Sequence, residues 1–272
     1  MTSNSSARRI LALWFPRLPT DRLQRYARAS QNFRASPDAA PLVIAAKTGN
    51  ALRITACDAR AVSLGLRPGM PLANARAMLP KLDVASADEA ADRKLLESIA
   101  DWALQYTPLA ALDLPDGLLL DVMGAAHLFG GERALLDRAC TSLKKQGFAV
   151  QGAISGSAAA ARALARYRDR AIVPPGEELR TMAPLPVEAL ALDSPVAHAF
   201  RHAGLKTIGQ VATRKRSELT ARFGASMSRT SSAVSAPSSG RRLRTSGRAP
   251  RVFRAMSSVI VRSLKAGCPV ST

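Results

Sequence analysis

The sequence predicts an α+β fold: a split βαβ sheet, a section of short helices, and a basic tail that does not fold by itself. Three observations carry this. Between Leu82 and Ile154 the hydrophobic pattern runs strand, helix, strand, strand, helix, strand. After Pro174-Pro175-Gly176 only short helical stretches follow, as far as Phe223. Beyond Gly224 the composition turns to Ser, Arg, Ala and Pro, with no acid after Glu218.

In chain order, Arg9–Phe15 is an apolar strand stopped by Pro16. LPTDRLQRYARA gives a helix, with Thr20 or Asp21 as its expected cap. Leu42–Ala46 and Leu52–Cys57 are strands joined at Thr48-Gly49-Asn50. Asp58 caps a short helix ended by Gly65, and a second short helix ends at Pro80. Leu82–Ala85 is a strand, and Asp88–Tyr106 is an amphipathic helix with Leu95, Ile99, Trp102 and Ala103 on one face. Strands at Leu109–Leu114 and Leu118–Val122 follow, then a helix at Glu132–Gln146 and a strand at Phe148–Ile154. Ser155-Gly156-Ser157 opens an Ala-rich helix, and Ala171–Val173 is a last short strand. In the helical section Asp193 or Ser194 caps one helix, Ala203-Gly204-Leu205 ends it, and Thr207 starts the next.

The formal net charge is +19 over 272 residues. A field of that sign attracts polyanions, nucleic acid first and an anionic membrane surface second. The tail, residues 225–272, holds nine Lys and Arg and no acid, so 19 − 9 leaves about +10 elsewhere. No apolar run reaches the ~18 residues of a membrane span. Cys57, Cys140 and Cys268 are odd in number and far apart, which fits a reduced cytoplasm and neither disulfides nor zinc.

The stretch with a chemical signature is Leu112–Gly124, LDLPDGLLLDVMG, with Asp116 and Asp121 bracketing a short apolar strand. Strands of this kind carry metal-binding carboxylates in nucleotidyl-transfer enzymes. Pro-Asp-Gly is equally turn chemistry, and Asp116 carries both readings. His198 and His202 stand i, i+4, yet lack the third ligand or Glu base of a zinc site. Trp14 and Trp102 are read as core residues.

Four stretches in one order, ILALWFPRLPTDRL, CDARAVSLGLRPGMPLANARAMLP, YTPLAALDLPDGLLLDVMGAAHLFG and LPVEALALDSPVAHAFRHAGLKTIGQVA, resemble the Y-family DNA polymerases, the UmuC/DinB-like enzymes that copy damaged templates. The first is most similar to the ImuB-type branch, which is thought to have lost the chemistry. The resemblance implies a ferredoxin-like split βαβ palm at 8–16 and 82–173, fingers at 17–81 and a helix-hairpin-helix thumb at 175–224, ahead of a disordered tail at 225–272. It implies DNA as partner. For that branch it implies a RecA-like protein, an error-prone C-family polymerase and the sliding clamp, with no membrane, in the cytoplasm. The family continues past the thumb, so the text after ARFG reads as a truncated or frameshifted product, or as a basic arm.

The family's metal site uses an Asp on the first strand and an Asp-Glu pair later. Here those places fall on Trp14 or Phe15 and on Asp116-Gly117. One carboxylate of three is left, too little charge to clamp two divalent cations. Asp116 is thus a vestigial site, and Asp121 matches a structural position. The family's triphosphate-binding Tyr and Arg fall on Ala59 and Val62, with Arg60 a weak substitute, and its Lys on Ser157, where a helix start could hold an anion or simply be capped. The thumb turn reads Ala191-Leu192-Asp193 in place of Gly-hydrophobic-Gly, and Asp193 would repel phosphate. DNA contacts fall to Arg201, Lys206, Thr207, Arg214 and Lys215.

The first reading of function is a non-catalytic homologue that binds DNA and scaffolds damage-induced error-prone synthesis, with no cofactor. The alternatives are an active translesion polymerase using Mg²⁺ through Asp113 or Asp116 and an acid from elsewhere, and an inactive remnant.

Overall fold

The computed structural model describes residues 8–29, 40–191, 194–214 and 218–219. The expectations for Leu192, Asp193, Lys215 and the tail lie outside them. The chain forms two compact units, residues 13–151 and residues 1–12 with 152–272, and each is taken by itself.

The strands are β1 (Ile10–Trp14), β2 (Leu42–Thr48), β3 (Ala51–Cys57), β4 (Asp83–Ser86), β5 (Ala110–Asp113), β6 (Gly117–Asp121) and β7 (Gln151–Ser155). The larger sheet has the order β5-β6-β1-β7. β1 lends its first three residues to one unit and its last two to the other. With α4 (Glu89–Ala103) and α5 (Glu132–Lys145) between the strands, β1-α4-β5-β6-α5-β7 is the βαββαβ order of a ferredoxin-like sheet. One expectation changes here. The strand at 82–85 does not open that run, because β4 pairs in parallel with β2 (Leu42↔Asp83 to Ala45↔Ser86) in a second sheet of order β3-β2-β4. β1, more apolar and buried along Ile10–Leu13, takes the central place. Pattern along the chain marks both segments as strands and does not choose their partners.

In the unit of residues 13–151, α1 (Leu18–Ala29) begins two residues earlier than its expected cap. Thr20 turns its hydroxyl back to Arg17 O, and Asp21 is left free to accept the Ala149 N–H at 2.7 Å. β2 and β3 form an antiparallel hairpin through Gly49, whose φ of +62° suits glycine. α2 (Ala59–Ser63) is capped by Asp58, which accepts from Ala61 N at 2.7 Å. α3 is Leu72–Met78. Val43, Ile54, Ala61, Leu66, Leu72 and Ala75 bury together and make this small two-helix module a core of its own. α4 turns Leu96, Ile99, Ala100 and Ala103 inward. Leu95 and Trp102 are only half-buried, a shift of the expected face by one position, and Trp102 stands edge-on to Tyr106.

The second unit carries α6 (Ala158–Tyr167), α7 (Glu178–Met182), α8 (Ser194–His202) and α9 (Ile208–Ala212). Val187, Val196, Phe200, Leu205, Val211 and Leu219 form its helical core. Residue 172 makes a single parallel bridge to Ile154 where a short strand was expected. Cys57 and Cys140 are buried free thiols, and burial together with the Asp58 charge pushes Cys57 up to about 11. No described helix is long and apolar enough to cross a membrane.

Candidate functional site: the hairpin that carries Asp116

β5 and β6 form a tight hairpin, closed by the pair Asp113↔Gly117. The loop Leu114-Pro115-Asp116 contains a cis Leu114–Pro115 peptide. Asp116 is thus a turn residue, and its main-chain oxygen accepts from Phe15 N at 2.8 Å. Its carboxylate accepts from the indole of Trp14, Nε1 to Oδ2, also at 2.8 Å. Phe15 is fully buried, edge-on to Phe148 at 5.8 Å, and belongs to the core. The first-strand position therefore falls to Trp14. It sets a proton donor where a third anionic oxygen would be needed, and a hydrogen bond to an ionised acceptor is worth about 1.5–3 kcal/mol.

The neighbouring position is filled too. A Cβ at Gly117 would stand 3.1 Å from Asp113 O, 3.1 Å from Asp113 Oδ2 and 3.2 Å from Leu13 O. Glycine is required here by close approach. Asp113 is 9% exposed and lies under the hairpin. Asp121 accepts from Met123 N at 3.1 Å and shapes the turn after β6. Among the described residues no three His, Cys, Asp or Glu side chains group around a possible ion. A pair of Mg²⁺ ions does not fit this donor set, since the Asp116 carboxylate is engaged by the Trp14 N–H and the next residue, Gly117, has no side chain.

The expected phosphate contacts are dispersed. Val62 is 54% exposed and, with Ala59, offers no charge. Arg60 lines a depression with Pro41, Leu64 and Lys81. Ser157 caps α6, its hydroxyl accepting from Ala160 N at 3.2 Å. The Glu178 carboxylate lies over Gly156, so an acid already stands at this helix start. Sequence reasoning missed that contact and the Trp14–Asp116 bond, because each joins residues distant in the chain.

In the helical section Ala191 has φ +51°, the left-handed conformation that a Gly-hydrophobic-Gly turn needs. Alanine there is strained by about 1 kcal/mol. Ala191→Gly is expected to raise stability by about 0.5–1 kcal/mol, after the entropy of the freer unfolded chain is set against relief of strain, as urea unfolding would measure. Thr207 caps α9, and Gln210 Oε1 accepts from Lys206 N at 2.7 Å and Thr207 N at 3.1 Å. The N–H groups of that turn are thereby used internally. Arg201 pairs with Glu188 at 3.2 Å, while Lys206 and Arg214 are exposed. His198 and His202 are exposed with ring centroids 4.4 Å apart.

Fold and sequence define a protein of Y-family polymerase architecture, with Asp116 at the turn between β5 and β6. The chain belongs to the impB/mucB/samB family, whose sequence pattern matches residues 21–166. It is 43% identical over 162 residues to Protein ImuB from two strains of Caulobacter vibrioides, a match covering 59% of this chain and 35% of theirs. This chain therefore matches about a third of the length of those relatives. Among solved structures it is similar in fold to DinB from Sulfolobus solfataricus (15% identity, TM-score 0.61, 80% of this chain and 64% of that one). It is similar also to an insertion ternary complex of Dbh DNA polymerase (15% identity, TM-score 0.64, 79% and 63%).

Proposed function

We propose that this chain is a non-catalytic homologue of the translesion polymerases that binds DNA and scaffolds error-prone synthesis at damage. The observation that carries the reading is the Trp14 indole N–H bonded to Asp116 beside the space-restricted Gly117. Phosphoryl transfer depends on electrostatic stabilisation of a highly charged transition state, and this strand cannot supply the metals that provide it. Support for DNA as partner comes from the net charge of +19, from the exposed Lys206 and Arg214, and from the fold shared with polymerases. Resemblance to the ImuB-type branch adds a RecA-like protein, a C-family polymerase and the sliding clamp as partners, in the cytoplasm.

Purified chain incubated with primer-template DNA, the four nucleotides and Mg²⁺ or Mn²⁺ is expected to show no extension while still binding the DNA. Charge reversal at Lys206 and Arg214 is expected to weaken that binding and lower its salt dependence. Template-dependent incorporation lost in Asp116→Ala would overturn the reading in favour of an active polymerase. DNA binding no tighter than that of any basic protein at about 0.15 M salt would leave an inactive remnant.

A further inference from the structure

We infer that an apolar groove on the α2–α3 module docks an acidic, amphipathic segment of a partner protein. The groove is a depression of about 410 Å³ lined by Pro41, Leu64, Leu79 and Pro80, with Arg60 and Lys81 also in its wall. Its aliphatic surface continues outward. Leu64 is 43% and Met78 51% exposed, and Met78 Cε lies 3.9 Å from where a Cβ of Gly65 would stand. An isolated exposed leucine means nothing, but a concave cluster of them is the signature of an interaction surface.

Charge says what covers it. Between Leu42 and Leu82 the sequence holds six cations and one acid, Asp58, which is buried as the cap of α2. The next acid, Asp83, starts β4 with its side chain exposed, so a single exposed carboxylate faces six cations over this stretch. A second copy of the chain would bring the same cations against these. The stretch 225–272, with its nine cations and no acid, is repelled likewise. Nucleic acid would be attracted by the charge of Arg60 and Lys81 but would not cover the floor. Bases are held by stacking on aromatic rings, and residues 40–82 contain no Phe, Tyr or Trp. A peptide with Asp or Glu beside Leu-like side chains satisfies both, its apolar residues in the groove and its carboxylates on the rim. The inference does not depend on the DNA-binding role proposed above.

The test is selection of short random peptides displayed on phage against the full chain, then anisotropy titration of the enriched peptides, synthesised with a fluorophore. Enriched peptides are expected to interleave acids with aliphatic residues and to bind with Kd on the order of 10 µM, as a small transient contact does. Leu64→Ser and Lys81→Glu are each expected to weaken binding about tenfold. Lys94→Glu, on the exposed face of α4, should leave it unchanged. Both Leu64 and Lys81 are exposed, so unfolding curves of these variants should overlay the parent. Absence of enrichment, enriched peptides without acids, or equal weakening by Lys94→Glu would overturn the proposal. So would single-stranded DNA that displaces the peptide and loses affinity in the Leu64 and Lys81 variants.

Discussion

Gly117→Glu, which sets a second acid beside Asp116, is expected to destabilise the protein by about 3 kcal/mol and to yield no primer extension. The steric part comes first. Two main-chain carbonyl oxygens and one carboxylate oxygen stand 3.1–3.2 Å from the position of a Cβ. Main-chain atoms of adjoining strands cannot rotate away as a side-chain tip can, so β1 and the hairpin must themselves give by a few tenths of an ångström. Gly117→Ala should show this cost alone, about 1–2 kcal/mol.

The electrostatic part comes next. The new side chain would leave the strand beside Asp113 Oδ2, in a place where Asp113 is already largely hidden from water. Two carboxylates there repel, and protonation relieves them. The gap between the Glu and Ala variants should therefore narrow as pH falls from about 7 to about 4. Adding Trp14→Asp would bring in a further acid and remove the hydrogen bond from Trp14 Nε1 to the Asp116 carboxylate, at further cost. Urea unfolding of the three variants measures each step. A Gly117→Glu protein as stable as the parent would show that the hairpin moves freely, and the site would then be one substitution from acidic rather than structurally closed.

Much of this was legible in the sequence, for definite reasons. Asp58 and Ser157 were readable as caps because capping is local, a side chain three residues from the N–H it accepts. The positions of most strands and helices follow from periodicity, which is also local. Strand partners are not. β1 and β4 are both short strands, and nothing local to either says that β1 joins β6 and β7 while β4 joins β2. At the site, the residue types at positions 14, 116 and 117 are read directly from the sequence. That the space is occupied, by Trp14 on one side and Asp113 on the other, is not, because it rests on contacts across 102 residues in one case and on the hairpin's close approach in the other.

Asp21 carries a large pH effect. It was read as a cap, and lies inside the first turn of α1, 5% exposed, with Oδ2 accepting from Ala149 N. Burial pushes its carboxyl from 3.8 up to about 6, against the Ala149 hydrogen bond and the charges of Arg17, Arg28 and Arg25, which pull it down. Because the folded value is the higher one, the native state binds the proton more tightly than the unfolded chain. Stability from this group is complete below about 4, is lost as pH rises toward about 6, and is constant above. The difference of about two units corresponds to about 2–3 kcal/mol.

Asp21→Asn keeps an oxygen for Ala149 N and removes the charge. The variant should match the parent near pH 4 and exceed it by about 2–3 kcal/mol near pH 8, a difference already net of the attraction to the three arginines. Asp21→Ala should be weaker than Asp21→Asn at every pH, since the Ala149 N–H loses its partner, a cost of about 1–3 kcal/mol. Unfolding free energies for the three proteins across that range decide the matter, and other titrating groups cancel in the differences. A gap between Asn and parent that does not change with pH would mean that Asp21 stays ionised throughout, with the arginines of α1 outweighing its burial.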